Sequence, residues 1–317
     1  MRVAFLFPGQ GSQSVGMLAG LAGASGVVAE TFAEASAALG YDLWKLTQEG
    51  PAEELDRTEV TQPAMLAAGI ATWRFWNQAG GQAPALVCGH SLGEFTALVC
   101  AQSLEFSTAI ELVRFRAQAM QEAVPQGKGA MAAILGLEDA EVEAACRESA
   151  GDGVVEAVNF NSPSQVVIAG DRDAVLRAIA AATARGAKRA VLLPVSVPSH
   201  SSRMQPAAQS FSARLATIAI ARPAMSYVSA VDAAVHSDPE EIRALLGRQL
   251  ASPVHWTRTV RALIATGVNA LIECGPGKVL TGLNRRIERR VDLQCLALED
   301  PAAVGAALTA TSGAAHA

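Results

Sequence analysis

Aromatic side chains are scarce, 5% of the 317 residues, and charged ones make up only 17%. With alanine abundant, that shortage points to helices packed closely against a sheet. An uninterrupted run of roughly 18 apolar residues, enough to cross a bilayer, is missing. The N-terminal "VAFLF" is also too short for a signal-peptide core and is broken at once by Pro8 and Gly9. Both absences predict a soluble, cytoplasmic protein with no membrane partner. Positive charge is not in surplus either: 25 Lys and Arg against 30 Asp and Glu leave a net −5. That balance gives no general attraction to nucleic acid, so any anion site must be local. The five cysteines (Cys88, Cys100, Cys146, Cys274, Cys295) are odd in number and scattered, with no CxxC or Cys/His spacing. No metal site is expected, and buried free thiols in a reducing compartment are. The glycines of "FPGQGSQSVGM" fail the G-x-G-x-x-G dinucleotide fingerprint at Ser14, and no Walker A motif or repeat is present.

What the chain does have is a 50% apolar composition and enough length for one large domain or two ordinary ones. "VAFLF" reads as a buried strand. Residues 61–80 read as an amphipathic helix entered through a Thr cap and an early Pro63, "ALVC" (85–88) as a second strand, and two helices follow. Strands interleaved with helices imply a parallel sheet covered on both faces. From about Gly129 to Val195 the order becomes β-α-β-β-α-β, that of a ferredoxin-like unit. The expected fold is therefore α/β: a hydrolase-like parallel-sheet core from residues 1–127 and 196–300, with a ferredoxin-like (βαββαβ) subdomain inserted at 128–195. Residues 301–317 read as a flexible tail, in which His316 needs no role.

Gly89-His90-Ser91-Leu92-Gly93 fits the G-x-S-x-G nucleophile elbow, with a strand before it and a helical run after it. The flanking glycines suit a turn with no space for a Cβ and a need for positive φ. The following helix aims its free N–H groups at any anion formed beside Ser91. His90 points away from its neighbour on so tight a turn, so the base must come from elsewhere. His236 lies in a polar loop and His255 at a helix start, whereas His200, in "PVSVPSHSSRM", follows a strand at the mouth of a helix, where catalytic loops gather. A helix-entry role for His200 is the alternative. Asp171 and Asp173 fit triad order but look like a turn and a helix cap, so no acid is evident. The loop after the first strand can supply a second oxyanion donor, which nominates the N–H groups of Gln10 and Leu92.

In "STAIELVRFRAQAMQEAV", Ala109, Leu112, Val113, Arg116, Ala117 and Met120 form one stripe, so Arg116 points where the core should be. It either pairs with an internal carboxylate, snorkels, or receives the carboxylate of a bound acid. In the last case the acyl group delivered to Ser91 is itself an acid.

"FPGQGSQ", "TQPA", "GHSLGE", "RFRAQAMQ", "NFNSPSQVVIAG", "VPSH" and "ECGPGKVLTGL", taken in order along nearly the whole chain, resemble the malonyl-CoA:acyl carrier protein transacylase family. The resemblance implies an acyltransferase of fatty acid or polyketide biosynthesis. Malonyl would pass from malonyl-CoA through Ser91 to the phosphopantetheine thiol of acyl carrier protein, in a ping-pong sequence needing no cofactor. It implies a Ser91–His200 dyad with the histidine oriented by the backbone carbonyl of Gln249, an oxyanion hole at Gln10 and Leu92, and Arg116 on the malonyl carboxylate. Gln62 and Asn161 match pocket positions. The implied partners are an acidic carrier protein and malonyl-CoA, and the enzyme is read as a monomer. The arginines at 285, 286, 289 and 290 could meet the carrier, and "GPGK" could serve coenzyme A phosphates or be only a turn. The competing readings are a discrete trans-acting polyketide acyltransferase, a serine thioesterase or hydrolase, and a non-catalytic homologue that docks carriers.

Overall fold

In the computed structural model, which describes residues 1–195 and 197–312, the strands are β1 (Val3–Phe7), β2 (Leu86–Gly89), β3 (Gly129–Leu135), β4 (Val155–Ser162), β5 (Gln165–Asp171), β6 (Arg189–Leu192), β7 (Ser226–Val228), β8 (Val235–His236), β9 (Ala270–Glu273) and β10 (Gln294–Ala297). They form a six-stranded sheet of order β10-β9-β1-β2-β7-β8 and a four-stranded sheet of order β4-β5-β3-β6. The larger sheet is parallel except at β8, and the smaller is antiparallel throughout. The expected parallel-sheet α/β core with a ferredoxin-like unit is the fold observed.

Alternation along β1 explains why the large sheet is covered on both faces. Val3, Phe5 and Phe7 join one apolar cluster with the helices Val27–Leu39, Thr58–Gln78 and Phe106–Ala123. Ala4 and Leu6 join another with the helices Trp256–Ala265 and Val279–Ile287. The small sheet packs its own helices on one face. Its other face presents Met131, with Leu193 and Val195 beside it, to a cleft shared with the large sheet. The small sheet is tied to the segment before the helix Trp256–Ala265, where Val254 N–H donates to the Val158 carbonyl and Phe160 N–H to the Val254 carbonyl. No helix is long and apolar enough to cross a membrane among the described residues. All five cysteines are buried and unpaired, and burial pushes each thiol above its usual range.

Two expectations change. The helix expected at 61–80 spans Thr58–Gln78, with Pro63 inside it. Thr61 is not its cap, because its hydroxyl donates to the Leu55 carbonyl of the preceding turn. The expected tail is a helix over Pro301–Ser312 that buries Val304, Ala307 and Thr311. Asp300 accepts the Ala303 N–H, and Pro301 starts the helix, so a cap and a pre-set φ lie where only small residues had been read. His316 lies outside the described residues.

The elbow glycines are demanded by contact. A Cβ on Gly89 would stand 1.9 Å from the Gly93 carbonyl carbon, and one on Gly93 would stand 2.0 Å from the Phe7 carbonyl oxygen. Positive φ falls on Ser91 instead, at 52°. Gly93→Ala must therefore push the helix Gly93–Cys100 off β1. A loss of about 1–3 kcal/mol or more is expected from such overpacking, read as a lower denaturant midpoint; an unshifted midpoint contradicts the close approach.

Candidate active site

β2 delivers Ser91 at the carboxyl end of the parallel sheet, where α/β folds gather ligands. Ser91 Oγ lies 2.7 Å from His200 Nε2, and His200 Nδ1 lies 2.9 Å from the Gln249 carbonyl oxygen. A carbonyl only accepts, so Nδ1 carries the hydrogen and Nε2 is free to accept from the serine. His200, like Ser91, is held at positive φ (68°). Each such residue costs about 1–3 kcal/mol, strain that surrounding structure must hold in place. The His200 N–H donates to the Leu250 carbonyl, which ties the histidine to the same segment twice.

The remaining candidates for base and acid lie elsewhere. His90 turns away: its Nε2 meets Asn161 Oδ1 at 2.8 Å, and its ring packs on Trp256. Asp171 is engaged by Arg203 and the Val154 N–H. His236 binds Asp232 and Glu241, and His255 stacks on Phe160.

Arg116 is 1% exposed. Its guanidinium donates to Gln62 Oε1 at 2.8 Å, Gln249 Oε1 at 2.9 Å and Ser91 Oγ at 3.2 Å, all neutral oxygens. Its Nε–H has no acceptor among the described residues. Burial lowers its pKa to about 10, with Glu94 pulling the other way, so it remains a cation at neutral pH. Of the three readings open from the sequence, direct pairing with an internal carboxylate and snorkelling both give way to a buried cation beside the nucleophile.

Gln10, Gln62, Ser91, Leu92, Arg116 and His200 all line one cleft. The N–H groups of Gln10 and Leu92 have no intramolecular acceptor among the described residues. Asn161 is not part of the lining. Asn159 takes that place, and its Oδ1 is buried without a donor, while Asn161 serves His90. The "GPGK" turn is a support rather than a phosphate cradle. The N–H groups of Leu280 and Thr281 at the head of the next helix donate to Glu273, so an internal carboxylate already occupies that terminus. A Cβ on Gly275 (φ 146°) would touch Pro8 at 3.0 Å, which places the turn directly behind the loop bearing Gln10. The helix Val279–Ile287 runs back from the end of β9 to the start of β10. Arg285, Arg286, Arg289 and Arg290 therefore sit at the edge of the sheet opposite the cleft. There Arg285 donates to the Cys295 carbonyl and Arg290 pairs with Asp292.

The acyl transferase domain family model matches residues 4–294. Malonyl CoA-acyl carrier protein transacylase of Salmonella typhimurium is 58% identical over 307 residues, covering 96% of this chain and 98% of that one. The chain belongs to the malonyl CoA-acyl carrier protein transacylase family. An acyl carrier protein S-malonyltransferase from Vibrio cholerae superposes with a TM-score of 0.94 at 53% identity, covering 97% of this chain and all of that one. A malonyl-transacylase solved in complex with its type II polyketide acyl-carrier protein gives 0.96 at 52% identity, covering 98% of this chain and all of that one.

Besides Asn159, sequence reasoning passed over Glu94 of this transacylase site. Glu94 of "GHSLGE" is fully buried and accepts from Tyr227 Oη at 2.9 Å, Ser229 Oγ at 3.1 Å, Gln249 Nε2 at 2.8 Å and the Ala230 N–H. Burial pushes its carboxyl up to about 7, and the four donors pull it down. Its only signal in the sequence is an acidic residue in a first helical turn, which is common at any exposed helix.

Burial, then the Arg116 charge, depress the His200 imidazole to about 3, while its hydrogen bond to Gln249 pulls it up. The group is thus neutral and able to accept a proton across the physiological range. Unfolded, it titrates near 6.5. Between those values the unfolded chain holds the extra proton, so this contribution to stability is complete above about 6.5 and declines as pH falls towards 3. A His200→Gln variant is expected to lose stability less steeply than wild type between pH 6.5 and 4 in denaturant titrations. Identical slopes contradict the depressed value.

Proposed function

We propose that this chain transfers malonyl from malonyl-CoA to the phosphopantetheine thiol of acyl carrier protein, through a malonyl ester on Ser91. The observation that carries the reading is a buried guanidinium with neutral partners only, hydrogen-bonded to the nucleophile itself. Burying a cation this way is costly unless an anion arrives, and a planar fork suits a carboxylate. Malonyl supplies that carboxylate at the far end of the acyl group.

Ser91 Oγ attacks the thioester carbonyl while its proton passes to His200 Nε2. The oxyanion forms between the N–H groups of Gln10 and Leu92, donors of a kind worth roughly 10²–10³ in rate. Collapse breaks the C–S bond, and the departing coenzyme A thiolate takes the proton from His200. In the second half the carrier thiol gives its proton to His200 and attacks the ester carbonyl; collapse breaks the ester C–O bond, malonyl leaves as the carrier thioester, and His200 returns the proton to Ser91 Oγ. The Gln249 carbonyl stands where a triad places its acid, fixing the tautomer without adding a charge. Gln62 steers Arg116, and Asn161 acts only by holding His90 beside the elbow. This chemistry needs no metal or cofactor resident on the chain. All of its groups come from one copy, which supports a monomer, and unpaired buried thiols suit the cytoplasm. The type II polyketide carrier on a solved neighbour makes both fatty acid and polyketide carriers candidate acceptors.

Incubation with malonyl-CoA should leave a persistent malonyl adduct by intact mass, absent in Ser91→Ala. Prompt release of free malonate without carrier would indicate a hydrolase instead. Arg116→Ala is expected to cut kcat/KM for malonyl-CoA roughly 10²-fold or more and to shift preference towards acetyl-CoA. Unchanged malonyl selectivity would rule out the carboxylate clamp.

A further inference from the structure

One residue meets the histidine, the buried cation and the elbow of this site. The Gln249 carbonyl orients His200, its Oε1 receives Arg116, and its Nε2 donates both to the Ser91 carbonyl at 3.0 Å and to Glu94 Oε2 at 2.8 Å. A primary amide has two faces of similar shape and opposite hydrogen-bonding sense. Turned over, Gln249 would aim its NH2 group at the guanidinium, donor against donor, and leave the Ser91 carbonyl without its side-chain donor. What prevents this lies on the side away from the cleft, where the two Glu94 oxygens are already faced by Tyr227, Ser229 and the Ala230 N–H as donors and so take a donor, not an acceptor, from Gln249.

We propose that Glu94 is a positioning residue of the acyl-transfer reaction, a buried acceptor whose carboxylate fixes the Gln249 amide in the one orientation that seats Arg116 for a carboxylated acyl group. Its own surroundings enforce the arrangement. Tyr227 Oη, Ser229 Oγ, the Ala230 N–H and Gln249 Nε2 all donate to it, so the two oxygens face four donors. The Ala230 N–H belongs to the backbone and cannot rotate away from Oε1.

That fixed donor decides what a neutral replacement does. In Glu94→Gln the side-chain oxygen must stay opposite the Ala230 N–H, which places the new NH2 group at the Oε2 position. The Tyr227 hydroxyl can rotate to accept from it. Gln249 can accept only by turning over, which carries its Oε1 away from Arg116. Loss of the Glu94 charge by itself acts in the opposite direction: a less compensated guanidinium attracts a carboxylate more strongly. The two effects therefore move KM for malonyl-CoA oppositely.

This inference rests on the malonyl-transfer reading, and the experiment separates the two. Adduct formation on Ser91 is followed with malonyl-CoA and with acetyl-CoA, in wild type, Glu94→Gln and Glu94→Asp, with thermal melts as a check on folding. Failure of wild type to form a malonyl adduct would sink the transfer reading itself. Given that adduct, Glu94→Gln should raise KM for malonyl-CoA about tenfold, the scale of a misdirected buried hydrogen bond. The acetyl reaction, which has no carboxylate for Arg116 to hold, should change less than about threefold. Glu94→Asp keeps an acceptor-only group and should stay within about threefold of wild type for malonyl-CoA. It also carries the test if Glu94→Gln does not fold. A fall in KM for malonyl-CoA in Glu94→Gln, equal losses with both substrates, or a Glu94→Asp variant that loses malonyl discrimination about tenfold would each overturn the positioning role.

Discussion

A guanidinium sealed among neutral oxygens is the constraint on which the rest of the site turns. Arg116 sits on the core-facing stripe of the helix Phe106–Ala123, at a position that pattern alone assigns to an apolar residue. Holding it there requires amide oxygens from two distant elements, Gln62 on the long helix Thr58–Gln78 and Gln249 at the end of the helix Pro239–Gln249. Those partners satisfy hydrogen bonds without cancelling charge. The uncancelled charge reaches two groups at once. It depresses the His200 imidazole, and in the proposed reaction it would draw an acid to the mouth of Ser91.

Much of this was legible in the chain because local signals and tertiary roles coincide. β1 spans the residues its apolar run marks, and β3 to β6 with the helices Asp139–Ser149 and Arg172–Ala184 follow the β-α-β-β-α-β order read between Gly129 and Val195. The elbow declares itself through two glycines that contact geometry makes obligatory. Arg116 was found because a charge on an apolar stripe breaks a periodic pattern. His200 was separable from the other histidines by its place after a strand, and its carbonyl partner came from family resemblance. A backbone oxygen leaves no trace in residue type.

What escaped detection depends on distance or irregularity. Glu94 meets partners more than 130 residues away in the chain, so nothing near it announces burial. Simple alternation puts Asn159 and Asn161 on one face of β4, but the strand slips register between Ala157 and Asn159 and again between Phe160 and Ser162, and the two side chains part, Asn159 to the cleft and Asn161 to His90. The N-terminal helices Ala19–Ala24 and Val27–Leu39 carry alanine and glycine on several faces, which blurs the contrast that periodicity needs. The C-terminal helix was hidden for the same reason, although Asp300 and Pro301 mark its start.

The buried cysteines have a consequence beyond packing. In the proposed reaction this protein handles a free thiol in each half-cycle, first as coenzyme A leaves and then as the carrier's prosthetic arm arrives. Mixed disulfides form when an accessible thiolate meets such a partner or its oxidised form. Each of the five sulfurs is shielded from solvent and held in its protonated form well above neutral pH. The protein can therefore traffic in sulfur nucleophiles without becoming one, and oxidative conditions that cap its substrates leave its own thiols chemically silent.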